Sequence, residues 1–325
     1  MTLPFVHRRA LLKAALSLTI VLPSFAPAQD KPIEWIVGYA AGGGSDVVAR
    51  TVAAQMSQSL GRSIVINNKP GAATNIAAGY VAQSKDLGNV MLTADFATLA
   101  ANPALFGKLP YDPEKDFKPI GLLARFPLLL VVGPNVPAKN FREFQEWVRS
   151  DPANAHYASA GVGSPHHLAA ELLRERTGLK IQHVAYRGAA PAVQDLLGGQ
   201  VPFGLMDTAS VQQYVSNGKL RAIGVASARR LSAFPDIPTL AEQGVEGYEA
   251  YAWQGLVVPA ATPAPVVANL TKALQTALVS APVKERFQSL SLEALPGTPE
   301  QMASYARSER ERWGKVIRTN NIRMD

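Results

Sequence analysis

The sequence predicts an α/β protein of two domains joined by two chain crossings, and three observations carry that prediction. Short apolar runs alternate with longer amphipathic stretches, small-residue loops recur where strands should end, and two long apolar segments bracket the middle of the chain. A length of 325 residues suffices for two cores, because single domains usually run to about 100–200 residues. Hydrophobic residues at 47% and charged ones at 18% describe a globular chain with too little charge for disorder.

The order begins with a leader. "MTLPFVHRRALLKAALSLTIVLPSFAPAQ" places Arg8, Arg9 and Lys13 before an apolar run over 14–22 and the small residues Ala26-Pro27-Ala28. That is the pattern of a secretory signal peptide over 1–28, cleaved after Ala28. The apolar run falls well short of the about 20 residues of a membrane-spanning helix. The string "HRRALLK" is also similar to a twin-arginine signal, so the Sec and twin-arginine routes both stay open.

From residue 33 the runs "IEWIVGY", "SIVINN" and "NVMLTA" read as strands, with helices over 47–60 and 76–83 between them. Further on, "HYASA", "IQHVAYR", "PFGLMD" and "LRAIGVAS" read as strands, with helices beginning near Pro165, Ala189 and Ser210. Such alternation predicts parallel sheets covered by helices. The segments "IGLLARFPLLLVVGP" and "YEAYAWQGLVVPA" bracket the second set and are long enough to leave one sheet and enter another. The expected organisation is therefore domain I over 29–128 and 251–325, with domain II inserted over 129–250. Two helix starts follow: Thr262-Pro263, read as a capping hydroxyl before a first-turn proline, and Thr298-Pro299-Glu300-Gln301, read as a capping box. Met302, Tyr305, Ala306, Trp313, Val316 and Ile317 share one face of the last helix.

Charge and composition exclude several functions. Loss of the leader leaves 29 Lys plus Arg against 25 Asp plus Glu, a mild excess with no basic block, which argues against nucleic-acid binding. Zero Cys excludes disulfides, thiol catalysis and Cys-based zinc sites.

The loop "GYAAGGGSDVVAR" over 38–50 is the strongest local signal. It lacks the third glycine of a dinucleotide fingerprint and the Gly-Lys-Ser/Thr of a P-loop, and Asp46 in the first helical turn would repel a di- or triphosphate. Ser45 or Asp46 acting as a helix cap is the purely structural alternative. Similar loops recur at "NKPGAATNI", "YASAGVGSPHH" and "AYRGAAPAV". Ligands of open α/β sheets bind outside the carboxyl ends of strands, where amides and helix N-termini receive anions. One helix end contributes about 0.3–1 kcal/mol and a charge-assisted hydrogen bond about 1.5–3 kcal/mol, so converging loops can reach the about 8 kcal/mol of micromolar affinity. A small carboxylate matches this supply.

An enzyme reading rests on Ser159 with His166, His167, His183 and Asp207 as base and orienting acid. However, "YASAG" has Tyr157 where a nucleophile elbow requires glycine. The adjacent His166 and His167 point to different helix faces and make a poor metal pair. No cofactor is expected.

Taken together, "VGYAAGGGSDVVAR", "INNKPGAATNIAA", "NPALFGKLPYDPEKDFKPIGLLA", "YASAGVGSPHHLAAELL", "HVAYRGAAPAVQDLLGGQV", "GKLRAIGVASARR", "FPDIPTLAEQG" and "WGKVI" resemble the extracytoplasmic solute receptors of tripartite tricarboxylate transporters, the Bug family. The resemblance spans the chain after the leader, in order. It implies a two-domain, type II periplasmic-binding-protein (Venus-flytrap) fold with two interdomain crossovers, a periplasmic monomer and no enzyme. Its cleft would close on a small organic acid (a di- or tricarboxylate, an amino acid or an aromatic acid) and present it to membrane permease subunits. Family members hold a carboxylate through backbone amides and bridging waters. By motif this places Tyr39, Gly43, Gly44, Ser45 and Asp46, then Thr74 and Asn75, then Ser159, Gly161, Gly163 and Ser164, then Arg187, Gly188 and Ala189, then Asp207 at or near the cleft. His167 matches the family's histidine after the serine loop and reads as structural support for that loop. Ala40 stands where the family usually has proline, and Leu87-Gly88-Asn89 departs from its Asp-Gly-Tyr-like turn. If Asp46 faces the cleft it favours an amino or hydroxy acid; if it caps its helix, plain acids remain. Arg187 either binds a distal carboxylate or is solvated. A receptor that reports to a membrane sensor would share these features.

Overall fold

The computed structural model describes residues 31–324, so the leader expected over 1–28 lies outside the described residues. Strands β1 (Ile33–Val37), β2 (Ile64–Asn68) and β3 (Val90–Asp95) open the fold as a parallel set, with β1 between the other two. Strand β4 (Phe117–Val132) is 16 residues long and serves two sheets. In the second sheet β5 (His156–Ser159), β6 (Gln182–Ala185) and β7 (Phe203–Asp207) are parallel, while β7 and β8 (Arg221–Val225) run antiparallel to the end of β4. The chain then returns as β9 (Tyr251–Pro259), inserted antiparallel between β3 and β4, and β10 (Glu293–Ala294) edges β4. The first sheet thus reads β2-β1-β3-β9-β4 and the second β8-β4-β7-β5-β6.

Both sheets are mixed rather than wholly parallel, because each long crossing segment is itself a strand. The change of partner along β4 falls at a proline: Pro127 pairs with Tyr251 of β9, and Leu128 pairs with Asp207 of β7. Proline offers no N–H to a ladder, which suits the point where one sheet hands the strand to the other. The return path lies alongside, with Ala226 N donating to Leu128 O at 2.8 Å and Ala250 N to Ala226 O at 2.9 Å.

Strand alternation sorts the core onto the two faces of the first sheet. Ile33, Trp35 and Val37 of β1 pack with Val48, Val52 and Met56 of α1 (Gly44–Leu60), Leu270 and Leu274 of α8 (Ala264–Val279) and Phe287 of α9 (Ala281–Ser289). Ile36 turns the other way, towards Ala77, Ala78 and Val81 of α2 (Asn75–Ala82) and Met302, Trp313 and Ile317 of α10 (Pro299–Thr319). On the second sheet Leu129 and Val131 pack with Val193 of α6 (Ala189–Leu197) and Val211 of α7 (Thr208–Ser216). Leu128, Leu130 and Val132 face Phe144 of α4 (Phe141–Ser150) and Leu168 of α5 (Pro165–Thr177).

Several local expectations need correction. The first helix begins at Gly44, not residue 47, and the seventh at Thr208, not Ser210, because Asp207 caps it by accepting from Ser210 N. Thr262 does not cap α8: Pro263 holds that position, and buried Thr262 Oγ1 has no partner among the described residues. The segment after β3, a π-helical turn at Ala97–Ala101 followed by α3 (Asn102–Leu105), was not anticipated, nor were α4 and α9. The capping box at Thr298 and Gln301 forms as expected.

Candidate functional site

The β1–α1 loop is tied down from within. Asp46, nearly fully buried, accepts from Gly42 N at 2.9 Å, Arg50 Nε at 2.9 Å and Asn68 Nδ2 at 3.0 Å. Burial alone would push its carboxyl up; these donors outweigh it and hold the group below the ordinary value of 3.8. Asn68 Nδ2 also donates to Tyr39 O. Both alternatives posed for Asp46 are thereby refined: the carboxylate neither caps the helix by accepting at its N-cap Gly43 nor has an unengaged oxygen, and it fastens Gly42 to β2. The N-terminus of α1 consequently carries no side-chain cap.

Tyr39 points to the sheet, donating its hydroxyl to buried Asp95, which also accepts from Thr98 N at 3.0 Å and Thr98 Oγ1 at 2.8 Å. Burial raises the Asp95 carboxyl; burial and the Asp95 charge raise the Tyr39 phenol. Thr98 Oγ1 lies 2.8 Å from Thr74 Oγ1, which links the first loop to the second. There Ala72, Ala73 and Thr74 all have positive φ, at 46°, 49° and 73°, a run that non-glycine residues, and β-branched Thr above all, rarely adopt. Asn102 holds it by donating to Ala73 O and Asn75 Oδ1, both at 2.7 Å. Asn75 Oδ1 also accepts from Tyr111. The Thr74 hydroxyl and Asn75 carbonyl oxygen are thus engaged within the first lobe.

In the second lobe Ser159 is fully buried at the end of β5; its Oγ accepts from Gly161 N at 3.0 Å and lies 2.5 Å from His183 Nε2. The His183 ring stacks on His167 at 3.9 Å, and His167 Nδ1 accepts from Gly163 N at 3.0 Å. His167 therefore supports the serine loop. Burial lowers His183 to about 4, and burial with the neighbouring His183 and Arg174 lowers His167 to about 3. Ser164 caps α5 by accepting from His167 N. Gly188 precedes α6 at φ 115°, with no side-chain cap on that helix, and Arg187 is exposed.

The triad considered for Ser159 does not assemble. Asp207 accepts from His166 Nε2 at 3.0 Å and from Ser210, whereas the histidine on Ser159 is His183. A nucleophile must also reach substrate, and Ser159 has no exposed surface.

The two lobes touch at the loops. A Cβ on Gly44 would stand 3.4 Å from Ala209 Cβ and 3.9 Å from Asp207 Oδ1, and one on Gly163 would overlap Leu105 Cδ1 at 2.3 Å. Gln254 of β9, the cross-strand partner of Asp95, donates Nε2 to Ser45 Oγ. Asp95, Thr98 and Gln254 escaped sequence reasoning: none lies in a glycine loop, and only the tertiary fold brings them beneath one. Asn68 lies in the loop over 68–76, but its tie to Asp46 is not legible there.

Comparison with known proteins accords with this geometry. Residues 48–322 match the model of the tripartite tricarboxylate transporter family receptor. The periplasmic binding protein BugD is 32% identical with a TM-score of 0.85, over 91% of this chain and 99% of that one. An R. palustris protein, Rpa4515, solved with adipate is 32% identical with a TM-score of 0.85, over 89% and 96%. MatC from Rhodopseudomonas palustris with bound malate is 34% identical with a TM-score of 0.81, over 88% and 98%. With a family match over most of its length and a two-lobed α/β fold shared with periplasmic binding proteins, the chain belongs to the Bug family of tripartite tricarboxylate transporter receptors.

Proposed function

We propose that this protein captures a small organic carboxylate between its two lobes and delivers it to the membrane permease subunits of a tripartite tricarboxylate-type transporter. The observation that carries the reading is that loops of both lobes end on helix N-termini with no side-chain cap, α1 and α2 in the first and α6 in the second. No side chain occupies these helix ends, and the positive end of each helix favours an anion there. In this reading the domains are 29–128 with 251–325, and 129–250, and the leader over 1–28 exports the chain to the periplasm. Tyr39, Gly43, Gly44, Ser45, Gly161, Gly163, Ser164, Arg187, Gly188 and Ala189 border the ligand. Asp46, Thr74, Asn75, Ser159 and Asp207 hold those loops in shape from behind. The malate and adipate of two relatives make a dicarboxylate the first ligand to try.

Calorimetric titration of protein unfolded and refolded to strip carried-over ligand tests the reading. Saturable binding of at least one organic acid is expected; none across a broad panel would refute it. Deletion of the gene separates transport, which predicts lost uptake of labelled ligand, from sensing, which predicts intact uptake with lost gene induction.

A further inference from the structure

A groove of about 480 Å³ lies on the first lobe, between α8, the start of β4 and the first residue of α10. It is remote from the proposed cleft. Lys118 of the groove pairs with Val258, four residues along β9 from Gln254, whose side chain meets Ser45 in the first glycine loop, and four strand residues span about 13 Å. Helix α8 turns Leu270, Leu274 and Leu278 into the core. The residues it gives to the groove, from Ala264 and Val267 through Thr271 to Gln275, follow the helical spacing of a second face.

Three side-chain bonds to the main chain fix the walls. Thr271 Oγ1 donates to Ile120 O at 3.2 Å, Gln275 Nε2 to Gly297 O at 3.1 Å and Lys118 Nζ to Thr262 O at 2.8 Å. They stitch α8 to β4, α8 to the loop before α10, and β4 to the turn before α8, so the space is preformed. Its apolar surface comes from Ala264, Val267, Ala268 and Pro299. Both charged residues on it are cations, Lys118 and Lys272, and Glu300 beside Pro299 does not line it. Lys118 spends one of its three ammonium protons on Thr262 O and keeps two, while Lys272 is exposed.

We propose that this groove is a second acid site, separate from the cleft, which takes a medium-chain alkyl monocarboxylate with its charged end on Lys118 and Lys272 and its chain along α8. The volume falls within the about 300–1,000 Å³ of small-molecule pockets. An apolar wall with cations and no carboxylate on it complements an amphipathic anion. A compact dicarboxylate leaves that wall uncovered and sets its second charge against it. A partner's helix laid along the same stretch of α8, about 10 Å across and 17 Å long, has a volume of roughly 1,300 Å³, far more than the groove holds. No residue of the proposed cleft takes part, so the site stands or falls independently of the receptor reading.

The test is calorimetric titration of the refolded full-length mature protein with hexanoate, octanoate and the uncharged hexanamide. Full burial of a methylene raises affinity about fourfold; a groove open on one side gives about half that free energy, so octanoate should bind about fourfold tighter than hexanoate. Hexanamide should bind about tenfold or more weaker than hexanoate, because it lacks the charge-assisted bonds. Lys272→Gln and Lys118→Met should each weaken octanoate about tenfold, and Ala268→Phe, which fills the groove from an exposed helix position, should abolish its binding. Thermal melts identify any variant that fails to fold, and the exposed Lys272 and Ala268 carry the test if the Lys118 variant does. Absence of saturable octanoate binding, or equal affinities for hexanoate and hexanamide, would overturn the proposal. So would octanoate binding that survives both Lys272→Gln and Ala268→Phe, which would put the acid in the cleft. Two other occupants would also overturn it: a permease subunit, if the groove variants spare octanoate binding but abolish uptake in cells, and a second copy, if sedimentation shows a dimer that Ala268→Phe dissociates. None of these outcomes touches the receptor reading, which its own panel of acids tests.

Discussion

Asp46 shows how one buried carboxylate can hold a glycine loop in shape from within. Its three donors come from the loop, the helix and the neighbouring strand, so Asp46→Ala removes a charge-assisted partner of the half-buried Asn68 amide and of Arg50, and frees Gly42. A loss of about 1–3 kcal/mol is expected, read from the urea midpoint at constant slope. Because the folded carboxyl sits below its ordinary 3.8, its stabilisation is complete above that value and disappears as pH falls through the folded pKa. The stacked His167 and His183 act earlier in an acid titration. Both rings are held neutral in the fold, at about 3 and about 4 against an ordinary 6.5. The unfolded chain therefore binds protons that the folded one refuses, and stability falls as pH drops from 6.5 towards 4. Melting temperature followed over that range should decline, and His183→Gln, which keeps a polar contact for Ser159 but no titrating ring, should flatten the decline.

Among the elements, α10 shows what short-range chemistry reveals. Thr298 accepts from Gln301 N, and Gln301 Oε1 accepts from Thr298 N at 2.8 Å, so Thr298→Ala is expected to cost about 1 kcal/mol, measured by chemical denaturation. That helix was legible because its cap and its apolar face lie within one window of sequence. The alternation that revealed β1 to β3 and β5 to β8 is equally local. What sequence obscured is long-range. Thr262 has the right residue type for a cap but lies one place too early, since Pro263 takes the extended N-cap conformation. The run after β3 carries no strong period because Ala97 to Ala101 are buried all round, which erases the polar face that marks a surface helix. The glycine loops could be read directly, whereas Asp95 and Gln254 acquire meaning only once β9 pairs with β3. The roles of Asp46 and Ser159 depend on Asn68 and His183, 22 and 24 residues away.

At the scale of the whole molecule the two lobes share β4 and the return path into β9, and few other main-chain links join them. Two lobes joined through two strands are an architecture on which hinge closure around a ligand can be built. Gly163 of the second lobe packs against Leu105 of the first, and the proposed closure can be tested at this contact without knowing the ligand's identity. A Cβ at Gly163 would overlap Leu105 Cδ1 at 2.3 Å, and its φ of 75° strains any other residue. The backbone strain of Gly163→Ala is present whether the lobes are open or closed, and lowers stability by about 1–2 kcal/mol. Under the proposed closure the overlap is present only when the lobes meet, so it is expected to subtract from ligand affinity, because a ligand that favours the closed state is penalised by whatever disfavours that state. Leu105→Ala in the same chain removes the overlap and leaves the strain. The double-mutant cycle therefore separates the two effects: affinity for the bound acid should fall in Gly163→Ala and recover in the double variant, while melting temperature should not recover. Small-angle scattering with saturating ligand should show a smaller radius of gyration for the wild type and the double variant than for Gly163→Ala alone. Equal affinities in all three proteins would mean that the lobes do not close through this contact.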